Sequence, residues 1–182
     1  SNEVPTSPSL FDSANLNKFI RDERADITDL KSLIKIFNIY KPDFVFHLAA
    51  QALVRPSYQD PLLTLYVNAI GTATILEAIR IFNKNIISVI ITSDKVYDNK
   101  EWVWGYKETD SFGGKDPYSA SKGMAELAIK TYINSYFQND EEKIKLAVGR
   151  AGNVIGGGDW AKDRIVPDCI KSWSNDMTVS LR

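Results

Sequence analysis

Apolar and polar residues along this chain alternate in blocks with two different periods. Leu30, Leu33, Ile34 and Phe37 recur at i, i+3, i+4 and i+7, one face of an amphipathic helix. Thr28 is placed to cap that helix and Pro42 to stop it. Phe44-Val45-Phe46-His47-Leu48-Ala49-Ala50 then reads as a fully buried strand running into a turn of small residues. Residues 60–82 predict a long helix, with Leu63, Val67, Ile70 and Thr74 on one face and Leu76 and Ile79 widening it. Residues 86–91 predict a second buried strand and 144–148 a third, with a second long helix over 118–139 between them. Weaker signals predict helix over 11–21, the end of a short strand at 24–27, a helix near 165–173 and a strand at 178–181. Residues 94–117 form a long connection holding Trp102, Trp104, Gly113, Gly114 and Pro117, and a link of that length in a compact domain is usually functional.

Strands that alternate with helices predict an α/β fold: a doubly wound, mostly parallel, Rossmann-like sheet with helices on both faces. In such sheets the binding crevice lies beyond the carboxyl ends of the strands. His47-Leu48-Ala49-Ala50, Thr92-Ser93-Asp94-Lys95 and Arg150-Ala151-Gly152-Asn153 each follow a predicted strand and are expected at one edge, beside the helix that opens at Tyr118.

Composition narrows the function. With 182 residues and 44% hydrophobic content, the chain suits one domain with a real core. A net charge of −1, with Lys and Arg dispersed, gives no basic stripe for nucleic acid. A single cysteine, Cys169, rules out an internal disulfide and fits a reducing, cytoplasmic setting. One histidine and one cysteine cannot build an ordinary structural zinc site, so no metal is expected. No membrane span is expected, and no signal peptide is visible.

The sharpest chemical pattern is Tyr118-Ser119-Ala120-Ser121-Lys122. Residues four apart on a helix share a face. A phenol titrates near ~10. An ammonium held nearby favours the phenolate and brings it towards the range of a general base. Any tyrosine and lysine can fall four apart, so the pattern gains meaning from Ser93 and Asp94, which end a strand expected to face the same pocket.

Longer strings carry a resemblance. They are FHLAAQALVRPS (46–57), TSDKVYD (92–98), EWVWGY (101–106), DPYSASK (116–122) and RAGNVIGGGDWAKDR (150–164). Together they resemble the extended short-chain dehydrogenase/reductase family and, within it, the nucleotide-sugar 4,6-dehydratases, over nearly the whole chain. The resemblance implies NAD as cofactor and a nucleotide sugar as substrate. It implies Tyr118 as the base at the sugar 4-hydroxyl, Lys122 as its electrostatic support and ribose contact, and Ser93 as a hydrogen-bond partner of the 4-oxygen. Asp94 would protonate the departing 6-hydroxyl, which requires burial or a nearby negative charge to keep its proton. Lys95 stands where the dTDP-glucose branch has glutamate and resembles the CDP-glucose branch; as the C5 base it needs a desolvated pocket, and a plain surface lysine is the alternative. Asp26 and Ile27 would meet the adenine, and Ala49, Ala50 and Gln51 would line the cofactor. Asn153 and Arg164 would hold the sugar nucleotide. Asn68 resembles a structural asparagine of the family, and Glu3 falls where the family has a ribose-binding acid. His47 reads as a satisfied core histidine, and Trp102 and Trp104 either roof the sugar or cover the core.

The chain departs from that family in lacking a Gly-x-x-Gly-x-x-Gly turn between an opening strand and helix. Gly149, Gly152 and Gly156 to Gly158 follow the wrong strand and lead into a loop. The expectation is therefore a fragment: an incomplete Rossmann-like domain over 1–182, with the substrate domain starting near 160–182. A homodimer through the helices near 60–82 and 118–139 is also implied. An epimerase, a dehydratase with another base, and an inert module that dimerises remain as alternatives.

Overall fold

The computed structural model describes residues 6–138 and 143–179. The chain divides into two compact units, Ala25–Gly152 and a second formed by Ser1–Arg24 with Asn153–Arg182.

The larger unit holds three parallel strands, β1 (Phe44–His47), β2 (Ile86–Ile91) and β3 (Ile144–Gly149), in the order β1-β2-β3. Its helices are α2 (Leu30–Tyr40), α3 (Val54–Gln59), α4 (Pro61–Leu65), α5 (Gly71–Phe82) and α6 (Pro117–Tyr132). The long helix expected over 60–82 is present as one run, but Tyr66–Ile70 between α4 and α5 is a wider π-type turn. A second π-type turn, Ile133–Phe137, prolongs α6.

Strand register puts Val45, His47, Ser88, Ile90, Leu146 and Val148 on one sheet face. Against it pack Leu33 and Phe37 of α2, Ile75, Leu76, Ala78 and Ile79 of α5, and Ile129 of α6. The opposite face is open: Phe44 and Phe46 are 59% and 65% exposed. The fully buried strands expected at 44–50 and 86–91 are thus corrected to strands buried on alternate residues. An apolar run without alternation fits a strand covered on both sides, and within the described residues only one side is covered.

Local chemistry sets the element ends. Asp29, not the expected Thr28, caps α2: its carboxylate accepts from the Lys31 and Ser32 N–H groups. The helix ends before Pro42 with Lys41 in the left-handed region, φ 45°. Pro117 opens α6 behind Asp116, whose carboxylate accepts the Ser119 N–H at 3.0 Å. Gly114 packs so closely on that first turn that a Cβ would collide with the Ala120 backbone, so no larger residue fits. The strand expected to end at 24–27 is absent, because 25–28 turns on the Asp26 side chain instead.

The smaller unit contains α1 (Leu10–Ser13), a 3-10 turn at Leu16–Lys18 and α7 (Ile165–Trp173). Residues 178 and 179 are not in a strand, and the rest of that expected strand, like Glu3, lies outside the described residues. Pro61–Phe82 is long and apolar enough to cross a membrane by length and composition, contrary to the expectation of no such run; half of its most apolar window is buried inside the fold.

Candidate functional site

The carboxyl ends of β1 and β2 and the start of α6 carry most of the residues singled out above. The β2–β3 ladder continues past the strands: Thr92 N–H donates to Gly149 O at 2.9 Å and Asp94 N–H to Ala151 O at 3.0 Å. Ser93 caps the short 3-10 turn Asp94–Val96, its Oγ accepting from Lys95 N–H at 3.3 Å and donating to Asp94 Oδ1 at 3.0 Å. Ser93 is buried, whereas Asp94 and Lys95 are exposed. The burial expected around Asp94 and the desolvated pocket expected around Lys95 are therefore not what the structure holds; a turn at a strand end leaves both side chains in solvent.

Tyr118 and Lys122 are both buried, 9% and 8% exposed, one turn apart on α6. Burial lowers the Lys122 pKa from its usual value, because a desolvated ammonium loses its hydration. That helix face is anchored from α5's side of the fold. Asn68 is buried at the wide turn and donates from Nδ2 to Ser121 Oγ at 2.8 Å and to Gln51 O at 3.0 Å, while its Oδ1 accepts from Gln51 N–H at 2.8 Å. Ser121 Oγ donates to Tyr118 O at 2.6 Å. Asn68 thus ties the turn after β1 to the helical turn bearing Tyr118.

His47 is a satisfied core histidine. Its Nε2 lies 3.1 Å from Thr72 Oγ1, whose proton goes to Asn68 O at 2.7 Å, which assigns the Nε2–H tautomer. Burial, with the nearby Lys122 charge adding to it, lowers its pKa to about 4, so the ring is neutral.

After β1, Ala49 is exposed and Ala50 half-buried, with no side-chain bulk beyond Cβ. The Gln51 amide is folded into its own turn, Oε1 accepting from Leu53 N–H at 2.6 Å and Nε2 donating to Thr64 Oγ1 at 3.0 Å, while its backbone N–H and carbonyl are both taken by Asn68. Asp26 accepts from the Thr28 N–H and hydroxyl at 2.8 and 2.7 Å, which hold its carboxyl below the usual range. Ile27 packs on α5, where a Cβ on Gly71 would come within 2.6 Å of its Cδ1. Asn153 and Arg164 belong to the smaller unit; Arg164 precedes α7, its Nε 3.7 Å from Asp159 Oδ2.

A cavity of about 1050 Å³ opens between α6, β3 and the 94–116 connection. Asp94, Lys95, Tyr97, Tyr106, Phe112 and Arg150 are among its walls; Tyr118 and Lys122 are not. Trp102 and Trp104 lie with ring centroids 5.8 Å apart and planes tilted by 38°, and are 38% and 65% exposed, so they do not cover the core. Among the described residues no cluster of three or more potential metal ligands occurs.

Reading the sequence placed Thr92 and Arg150 at the sheet edge but missed that they join Glu126 and Tyr97 in one polar group, with Thr92 and Glu126 buried and Tyr97 and Arg150 half-buried. Glu126 Oε1 accepts from Thr92 Oγ1 at 2.6 Å and Arg150 Nε at 2.9 Å, and Oε2 accepts from Arg150 Nη2 at 3.2 Å. A signal was present: Glu126 follows Tyr118 and Lys122 at i+8 and i+4, an acid on a face whose other members are buried.

Comparison with known proteins adds the relatives. The family model described as GDP-mannose 4,6 dehydratase matches residues 8–141. CDP-glucose 4,6-dehydratase of Salmonella typhimurium is 47% identical over 99% of this chain and 51% of its own length. The chain spans about half the length of the curated relatives it matches. UDP-glucose 4-epimerase of Thermus thermophilus, solved with NAD, is 30% identical over 82% of this chain and 47% of its own, with a TM-score of 0.70. dTDP-glucose 4,6-dehydratase of Streptomyces venezuelae, solved with NAD, matches in fold at a TM-score of 0.77 and 22% identity, over 93% of this chain and 51% of its own.

Proposed function

Because the chain belongs to the GDP-mannose 4,6 dehydratase family, we propose that it carries the catalytic corner of a cytoplasmic nucleotide-sugar 4,6-dehydratase that takes CDP-glucose to CDP-4-keto-6-deoxyglucose. The observation that supports this best is the buried Tyr118–Lys122 pair on α6, anchored through Ser121 and Asn68 to the turn after β1.

Tyr118 takes the proton of the 4-hydroxyl. Lys122, buried one turn along the same helix, would stabilise the phenolate and hold the nicotinamide ribose. Ser93 orients the 4-oxygen. The resulting ketone acidifies C5; Lys95, as the free amine, is the candidate to remove that proton, and Asp94, as the carboxylic acid, is the candidate to protonate the departing 6-hydroxyl, both from solvent-exposed positions. The Asp94 and Lys95 side chains line the 1050 Å³ cavity. Bound NAD would supply the hydride chemistry between C4 and C6. The residues present fit its nicotinamide end: the small side chains of the Ala49-Ala50 turn would let a ring approach the backbone, Gln51 would border it, and Tyr118 and Lys122 stand at the neighbouring helix start. Asp26 and Ile27 would meet the adenine, and Asn153 and Arg164 the sugar nucleotide.

The two long helices expose apolar rows, Leu62, Leu63, Tyr66 and Ile70 on one and Met124, Leu127 and Tyr136 on the other, which supports a homodimer through them. Sedimentation that finds only monomer would remove that part of the reading.

The test is incubation of the full protein, as its gene encodes it, with CDP-glucose and NAD. The expected product is lighter than the substrate by one water. A product of unchanged mass makes the protein an epimerase, and no product at all leaves an inert dimerising module.

A further inference from the structure

We propose that Glu126 and Arg150 are a positioning pair that fixes the Ser93-Asp94-Lys95 corner against the helix carrying Tyr118 and Lys122. The inference rests on the reading above, in which these five residues share one reaction. Tyr118 and Lys122 ride on α6, whereas Ser93, Asp94 and Lys95 follow β2, at the cap and start of the 3-10 turn. Two sets of groups on separate elements must keep one geometry, and something has to set the angle between them.

Glu126 is on α6, one turn beyond Lys122, and is 5% exposed. Its carboxylate reaches both other elements at once. Thr92, which donates to it at 2.6 Å, directly precedes Ser93. Arg150, which grips it through two nitrogens, directly follows β3, and the next carbonyl, Ala151 O, accepts the Asp94 N–H at 3.0 Å. The remaining amino group of Arg150, Nη1, donates to Tyr97 OH at 2.9 Å and to Glu108 O at 3.2 Å. The guanidinium also lies over the rings of Tyr97 and Phe112, each at 4.9 Å. One ion pair therefore joins α6, the ends of β2 and β3, and the wall of the cavity.

Stability alone does not call for such a pair, since apolar residues of equal volume often serve a core as well. A two-pronged guanidinium–carboxylate contact adds direction: it holds two elements at one distance and one angle. Displacements of about 1 Å in a reacting group can cost on the order of 10²-fold in rate.

Two variants of the full protein test this. Glu126→Gln keeps the shape and an acceptor for Thr92 but removes the charge; Thr92→Val leaves the ion pair and removes only the link to Ser93. With CDP-glucose, kcat is expected to fall about 10- to 100-fold with KM nearly unchanged, and amide exchange is expected to quicken at residues 93–98 and not at 75–79 in the core. Wild-type kcat in folded variants overturns the proposal, as does exchange that quickens equally everywhere, which would make the pair a plain structural staple. If the wild-type protein shows no turnover, the dehydratase reading has failed; the exchange pattern then decides the clamp by itself, and unchanged exchange at 93–98 overturns it.

Discussion

Asn68 donates from Nδ2 to Ser121 Oγ at 2.8 Å, joining two helices across 53 positions of sequence. The same amide closes a two-way contact with the Gln51 backbone. Asn68→Ala leaves the Gln51 N–H and carbonyl without this partner in a part-buried setting, while Ser121 keeps its bond to Tyr118 O. Orphaned buried polar groups cost about 1–3 kcal/mol each, so a loss of about 2–4 kcal/mol is expected. Urea unfolding checks it, and a loss well under 1 kcal/mol would show that the turn after β1 holds without this anchor.

His47 gives a pH dependence of defined sign. Its folded pKa, about 4, lies below the 6.5 of the unfolded ring. Between those values the unfolded state binds the extra proton, so the contribution to stability falls as pH drops from about 6.5 to 4. The full difference is on the order of 3 kcal/mol. His47→Gln keeps a donor for Thr72 but cannot titrate. Unfolding midpoints at pH 7 and pH 4.5 should fall further in wild type than in the variant, and parallel falls would contradict the assignment.

Ser88 offers a change in the other direction. Its hydroxyl is buried at the centre of β2, with no hydrogen-bond partner among the described residues, on the face that meets α5 and α6. Ser88→Ala removes an unmet polar group at little loss of volume and is expected to stabilise the protein by about 1 kcal/mol. A destabilised variant would mean that the hydroxyl has a partner after all.

Much of this was legible in the residues. The i, i+3, i+4 rows foretold α2 and the long helices, and Tyr118 with Lys122 marked the buried face of α6. What the pattern could not carry was context. Phe44 and Phe46 look like core because apolar content says nothing about which neighbours exist to cover them. Thr28 looked like a cap because Thr and Asp have similar capping tendencies, and only backbone direction chose Asp29. Arg150 and Glu126 are 24 positions apart, so their pairing depends on the parallel β2–β3 register and on the α6 crossover that joins the strands.

The strongest test of the site is Tyr118→Phe, which deletes one oxygen and leaves the ring that fills its buried place. If Tyr118 is the base, kcat should drop by roughly 10²–10⁴-fold, while thermal unfolding changes little. Lys122→Met should cost activity as well, but for a different reason and with a separate signature. Burial holds the Lys122 pKa below 10.5 in the folded state. Through the window just below 10.5 the unfolded chain binds more protons, so wild-type stability rises with pH there. Methionine fills a similar volume without a charge to desolvate. The variant should therefore be more stable than wild type at pH 7, with that rise abolished, even as turnover falls. A Lys122→Met protein that loses stability at pH 7 would mean that the ammonium is held by a partner worth more than its lost hydration. A Tyr118→Phe protein that keeps its kcat would remove the phenol from the chemistry, and with it the catalytic role of α6.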